Sequence, residues 1–128
     1  MTGISLLYVE DDAVVRDILC TFINARYSSL PVYSAGTARE GFDLFNVHRQ
    51  AIVLTDINLL DSDGVSMARS IRSIAPDTVI VFISGSADVE RLVEFEKSGS
   101  CHVICKPVDC LKLFGVLDSY INVAGDGR

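Results

Sequence analysis

Reactive groups in this chain fall directly after its apolar runs. Glu10, Asp11 and Asp12 follow Ile4–Val9, Asp56 follows Ala51–Thr55, Ser84 follows Thr78–Ile83, and Lys106 follows His102–Cys105. An acidic turn such as Glu10-Asp11-Asp12 is by itself an ordinary solvated loop. Asp56 differs, because a carboxylate closing the run Ala51-Ile52-Val53-Leu54-Thr55 is costly to bury without a partner. Carboxylates within a few ångströms of one another repel, and one must take a proton unless a cation is present. Magnesium suits such a set, since it takes one or two carboxylates, several waters and a phosphate oxygen. Asp11 and Asp56 are then the expected direct ligands, with Glu10 acting through water. A carboxylate is also a nucleophile towards phosphorus and gives an aspartyl-phosphate. Phosphoryl transfer needs its equatorial oxygens neutralised, and magnesium, the Lys106 ammonium and the Ser84 hydroxyl together supply that. Singly, Ser84 is a turn hydroxyl beside Gly85, and Lys106 is a loop lysine before Pro107.

These groups meet only if the apolar runs are neighbouring strands. Ile4–Val9, Pro31–Ser34, Ala51–Thr55, Thr78–Ile83 and His102–Cys105 are rich in Val and Ile and mostly lack polar alternation. Such runs suit a parallel sheet covered on both faces. Between them lie helical stripes. Val15, Ile18, Leu19, Phe22 and Ala25 form the first; Ala38, Phe42 and Phe45 form the second, behind a capping box at Thr37-x-x-Glu40. Val65, Ala68, Ile71 and Ala75 form the third and stop before Pro76. Val89, Leu92, Val93 and Glu96 form a short fourth, with Gly99 as its C-terminal cap. Leu111, Phe114, Leu117 and Ile121 form the fifth. Core packing is the expected role of every stripe. Strand and helix thus alternate five times, which predicts an α/β, doubly wound (βα)5 fold with a central five-stranded parallel sheet. Order 2-1-3-4-5 puts the switch point between strands 1 and 3, and ligands sit beyond the carboxyl ends.

Composition narrows the function classes. The chain has 128 residues, 49% hydrophobic and 22% charged, with 11 basic against 17 acidic residues and a net charge of −6. One globular domain is expected over residues 1–122, with 123–128 as a flexible tail or the start of a linker. Lys and Arg are scattered, so direct nucleic acid binding by this segment and binding to an anionic membrane are both disfavoured. No apolar run approaches the length of a membrane span. The start lacks a basic region typical of a signal peptide, so a cytoplasmic location is expected. Cys101, His102, Cys105 and Cys110 lie close in sequence, but their spacing fits no usual zinc motif. Reduced thiols on a buried strand and the helix after it are the expectation.

The stretches Leu6-Leu7-Tyr8-Val9-Glu10-Asp11-Asp12, Thr55-Asp56-Ile57-Asn58-Leu59-Leu60-Asp61-Ser62-Asp63-Gly64, Val81-Phe82-Ile83-Ser84-Gly85 and Lys106-Pro107 together resemble the receiver domain of two-component response regulators. The resemblance covers essentially the whole chain and carries the flavodoxin-like fold of chemotaxis regulators. It implies that Asp56 is the phosphate-accepting aspartate, Glu10 and Asp11 the acidic pair around magnesium, and the Asn58 carbonyl a third protein ligand. It further implies Ser84 as the switch hydroxyl, Lys106 as the phosphate-binding lysine before a cis proline, and Gly64 as the glycine closing the loop after strand 3. Two positions depart from the family pattern. Leu60 stands where proline is usual, which predicts a softer loop. Val103 stands where an aromatic ring is usual, which removes a rotamer switch.

The resemblance implies a histidine kinase or phosphotransfer protein as phosphodonor. It also implies a changed surface at helix 4, strand 5 and helix 5 that binds an unidentified output domain or protein, with a homodimer left open. No DNA-binding, cyclase or kinase segment is read after Tyr120, and the expectation is either a stand-alone regulator or a piece of a larger regulator or hybrid kinase. The alternative is a receiver-like interaction module with little phosphorylation-driven switching. A flavin-binding module is disfavoured because three carboxylates in its phosphate loop would repel the ligand. A dehalogenase-type phosphatase would need a second acid two residues after Asp56, where Asn58 stands. His48 and His102 are expected to pack at the surface rather than relay phosphate.

Overall fold

The computed structural model describes residues 4–85, 92–97 and 99–121. It contains β1 (Leu6–Val9), α1 (Ala13–Arg26), β2 (Val32–Ala35), α2 (Ala38–His48), β3 (Ile52–Asp56), α3 (Gly64–Ile74), β4 (Val79–Ser84), α4 (Val93–Glu96), β5 (Cys101–Cys105) and α5 (Cys110–Leu117). All pairings are parallel, in the order β2-β1-β3-β4-β5. Strand and helix alternate as the apolar runs predict. β2, β3 and β4 end one residue later than their apolar runs, however. Ladder pairing continues through Asp56 opposite Ile83 and through Ser84 opposite Cys105. Asp56 and Ser84 are therefore the last residues of rigid strands, not the first of loops.

Two apolar layers sandwich the sheet. One contains Leu7, Val9, Phe45, Val53, Ile71 and Phe82; the other contains Tyr8, Ile23, Leu54, Val81, Leu113 and Leu117. Alternate residues of one strand feed opposite layers, as the two-residue period of a strand requires. The central strands β1, β3 and β4 are buried throughout, whereas β2 and β5 are partly exposed edges. This corrects the expectation of a buried fifth strand. Only Ile104 of β5 is buried, and Cys105 is exposed.

The helix termini follow local capping chemistry. Asp12, Thr37, Asp63 and Asp109 are N-caps whose side chains accept amide hydrogens from the first turns of α1, α2, α3 and α5. Glu40 completes the capping box by accepting from Gly36 N at 2.8 Å, one residue before the cap. Gly99 plays a different part from the predicted cap. It lies three residues beyond α4, and a Cβ there would sit 2.5 Å from Arg72 Nη1. Arg72 is buried, donates from Nε to Thr78 O at 2.9 Å and from Nη2 to Ser100 O, and stacks 5.0 Å from the Phe95 ring centroid. The glycine leaves room for this guanidinium, which ties α3 to the entrances of β4 and β5. Val89 and Ser86 lie outside the described residues, as does the 123–128 tail.

α1 departs from its predicted role. Leu19 and Ile23 are buried, but Val14, Val15, Ile18 and Phe22 are 67%, 41%, 52% and 49% exposed. Of the predicted stripe only Leu19 is buried, joined by Ile23, while Val15, Ile18, Phe22 and Ala25 face outward. At the far end of the helix, Arg26 clamps Asp118, just past α5, through Nε at 3.0 Å and Nη2 at 2.5 Å, and Tyr27 donates to the same carboxylate at 2.6 Å. The Arg26 hydrogen bond, with that of Tyr27, holds Asp118 below the usual carboxylate range despite desolvation. A lowered carboxyl contributes stability above its ordinary pKa and loses it as pH falls through the folded value. Asp118→Ala is expected to lower the melting midpoint at neutral pH, with a smaller deficit at acidic pH and in high salt. Equal midpoints for variant and wild type across neutral pH would show that the clamp contributes nothing.

Candidate functional site

β1, β3 and β5 deliver the chemistry to one end of the sheet. Glu10 follows β1 directly and is only 4% exposed, as is Asp56 at the end of β3. Asp11 is half-buried beside them, and one carboxylate oxygen from each of the three lies within 4.8 Å of the others. Asp12 does not join them. Its carboxylate accepts from Val14 N at 3.0 Å and Val15 N at 3.1 Å, so it is spent on capping α1. Lys106, one residue past β5, reaches back and donates to Asp56 Oδ2 at 2.8 Å. Glu10, Asp11, Asp56, Asn58 and Lys106 line one open cleft of about 490 Å3, and Val15 of α1 forms part of its rim.

Ser84 reaches the same sheet end by a different route. It is fully buried, and its hydroxyl donates to the Gly85 carbonyl at 2.6 Å. Its own carbonyl accepts from Lys106 N at 2.8 Å, which ties β4 to the lysine. Gly64 must be glycine because a Cβ would overlap the Asp56 carbonyl oxygen and stand 3.0 Å from Thr55 Oγ1. The Lys106-Pro107 peptide is cis, as the resemblance implies.

Electrostatics shift both Glu10 and Lys106. Burial pushes the Glu10 carboxyl up; the Asp12 amide pulls it down, and the Asp56 charge pushes it up again. Burial pulls Lys106 down, but the hydrogen bond and charge of Asp56, with Glu10 and Asp11, raise it above the ordinary lysine range. A carboxyl raised in the fold costs stability on ionising, so stability falls as pH rises from the ordinary glutamate value through the raised one. Glu10→Gln is expected to flatten that fall and to raise the melting midpoint at neutral pH without added cation. An unchanged pH profile would show that Glu10 is already compensated.

The donor set is all hard oxygen, so the site fits magnesium and not a soft ion. Glu10, Asp11 and Asp56 would hold it with the Asn58 carbonyl, and its charge would offset the crowding. Among the described residues this is the one cluster of three or more His, Cys, Asp or Glu side chains that converge. Cys101, His102, Cys105 and Cys110 form no such cluster, and His102 Nε2 pairs with the Tyr120 hydroxyl at 2.8 Å. His48 stacks on Tyr33 with ring centroids 4.2 Å apart.

Two residues, one beside the site and one on α4, escape sequence reasoning. Tyr8 is fully buried on β1, and its hydroxyl points to Glu10 Oε1 at 3.5 Å. Desolvation, then the Glu10 charge, raise its pKa well above the ordinary tyrosine value. An aromatic in an apolar run reads only as core. Phe95 of α4 is the other. It meets Phe82 edge-on with centroids 5.2 Å apart, in the cluster against which Val103 packs. An aromatic ring is therefore present beside β5 although Val103 supplies none.

Comparison with known proteins agrees with this fold. The sequence model of the response regulator receiver domain matches residues 6–118. The chain is 26% identical over 102 residues to the cell cycle transcriptional regulator CtrA of Caulobacter vibrioides, covering 80% of this chain and 43% of that protein. It thus spans less than half the length of that relative. A receiver domain from Clostridium thermocellum superposes with a TM-score of 0.84 at 20% identity, covering 94% of this chain and 95% of the other. The N-terminal domain of a protein from Wolinella succinogenes superposes with a TM-score of 0.83 at 26% identity, covering 92% and 94%. Among the described residues, no helix is long and apolar enough to cross a membrane.

Proposed function

The chain belongs to the response regulator receiver domain family, and on that premise we propose that Asp56 is its phosphoacceptor, served by Glu10, Asp11, Asn58, Ser84 and Lys106. Phosphoacceptance is the standard function of the family, whose members are regulatory domains rather than enzymes in the ordinary sense. One observation carries the assignment of residues: the Lys106 ammonium sits 2.8 Å from Asp56 Oδ2 within a buried cluster of carboxylates. An Asp56 oxygen attacks phosphorus; the new P–O bond forms as the P–N bond to a donor histidine breaks, and the bonding pair returns to the imidazole nitrogen. Lys106 fixes the rotation of the carboxylate and then neutralises an oxygen of the transferred group. Magnesium, when bound, supplies further charge neutralisation at the phosphoryl oxygens. In this way the domain assists its own phosphorylation.

The exposed side of α1 supports a helical phosphodonor, the histidine kinase or phosphotransfer protein of a cytoplasmic relay. Its apolar row begins at Val15 on the rim of the cleft and runs through Ile18 and Phe22. A phosphohistidine brought to Asp56 on a helix bundle would lay a neighbouring helix along that row. Phe22→Asp is expected to slow transfer from a phosphohistidine protein about tenfold, while phosphoramidate still phosphorylates the variant at the wild-type rate. Equal loss with both donors would place the defect in the site and not in docking.

After transfer, the Ser84 hydroxyl leaves the Gly85 carbonyl for a phosphoryl oxygen. The movement passes to α4, where Phe95 rests on Phe82 and Arg72, and so changes the α4–β5–α5 surface for an output domain or protein. The test of the whole reading is direct. Phosphoramidate with magnesium should add one hydroxylamine-labile phosphoryl group, measured by intact mass. No mass gain, or a gain stable to hydroxylamine, would overturn it.

A further inference from the structure

The loop between β3 and α3 carries Asn58, and its Asp61 side chain ties it to α2. Asp61 Oδ1 accepts from Ala38 N at 2.9 Å, and Oδ2 accepts from Arg39 N at 3.0 Å. These are the first two amides of α2, and the third, Glu40 N, is met by Thr37. The first turn of α2 is thus satisfied partly from another element, by a charged acceptor at the positive end of the helix. The loop itself folds back tightly. Asn58 and Asp63 bridge in antiparallel fashion, Leu59 N donates to Ser62 O at 3.1 Å, and Gly64 N donates to Ile57 O at 2.6 Å. Its two ends are fixed by β3 and by the Asp63 cap of α3. Its tip has Leu60, 83% exposed, and Asp61. Leu59 anchors the loop in the core, Leu60 is exposed, and the Asp61 carboxylate ties the tip to α2.

We propose that Asp61 is a positioning residue for the cation site: by fastening the loop tip to the α2 amides it holds the Asn58 main chain against Glu10, Asp11 and Asp56. The inference rests on the reading of Asn58 as a ligand. With no proline at position 60 to stiffen the backbone, the loop is held by a hydrogen-bonded tether instead. The two amide hydrogen bonds lower the Asp61 carboxyl below its ordinary value, as expected of a charge-assisted cap. Coupling of this kind is reciprocal. If Asp61 holds Asn58 in place for the cation, the cation must in turn steady Asp61 and the amides of Ala38 and Arg39, which touch no ligand.

Magnesium titration followed by amide NMR and hydrogen exchange tests this. In the wild type, magnesium should slow exchange of the Ala38 and Arg39 amides. Asp61→Ala should weaken magnesium binding about tenfold, in the range typical of residues that support metal ligands, and abolish that protection. Asp61→Asn, which keeps an acceptor oxygen, should recover part of the affinity. A purely structural cap would lower the melting midpoint of Asp61→Ala yet leave magnesium affinity unchanged, and that result overturns the proposal. If the wild type itself binds no magnesium, the reading of the site fails instead.

Discussion

Lys106→Met should accept a phosphoryl group from phosphoramidate about a hundredfold more slowly than the wild type, with little change in fold. The magnitude follows from removing one preorganised donor to a developing anion. The lysine side chain is 44% exposed, whereas the side chain of its partner Asp56 is 5% exposed, so the variant loses chemistry and not packing. It also leaves Asp56 beside Glu10 and Asp11 without the cation that stands among them, so magnesium should become more important for stability. The raised pKa of Lys106 fixes the expected pH dependence. A lysine raised in the fold is fully charged below its ordinary value and loses its contribution only as pH rises through the folded one. The wild-type rate should therefore show no loss from Lys106 between neutrality and about pH 10. Single-turnover rates across pH would check both statements, and a wild-type rate in Lys106→Met would remove the lysine from the mechanism.

Gly64→Ala should damage stability and phosphorylation together. A methyl group there overlaps the Asp56 carbonyl oxygen and crowds Thr55 Oγ1, and both belong to the rigid end of β3. The backbone cannot yield without moving the acceptor. Overpacking of this kind costs about 2 kcal/mol. Gly115, in α5, is the control. A methyl group there meets nothing within 4 Å, so Gly115→Ala should stabilise the helix by up to about 1 kcal/mol. Thermal melts of opposite sign are expected for the two alanines. A neutral Gly64→Ala would mean that α3 can slide off β3 without consequence.

Much of the fold was legible because it rests on long-range order in simple patterns. Apolar runs without alternation read as central strands, and helical stripes between them read as crossovers, so topology followed. The gathering of Glu10, Asp11, Asp56 and Lys106 followed from the switch point of the sheet. Other features depend on what surrounds a residue and leave no periodic trace. Val15, Ile18 and Phe22 have helical spacing whether they face the core or a partner, so their exposure was invisible. Asp12 looks like its two neighbours, and only its geometry assigns it to the cap. Gly99 reads as a helix cap, yet it serves the buried Arg72 from another element. Asp61 sits among polar loop residues, and nothing in the chain signals that α2 supplies its partners.

The central claim concerns one atom: a phosphoryl group bonded to a carboxylate oxygen of Asp56. Borohydride trapping reads that bond at residue level, since hydride reduces an acyl phosphate to the alcohol with loss of phosphate. After treatment with phosphoramidate and magnesium, then borodeuteride, peptide mass spectrometry should find homoserine at position 56 and unmodified Asp11 and Glu10. Asp56→Asn should yield no reduced residue. Reduction at any other carboxylate, or none in a chain that has gained a phosphoryl group, would contradict the account.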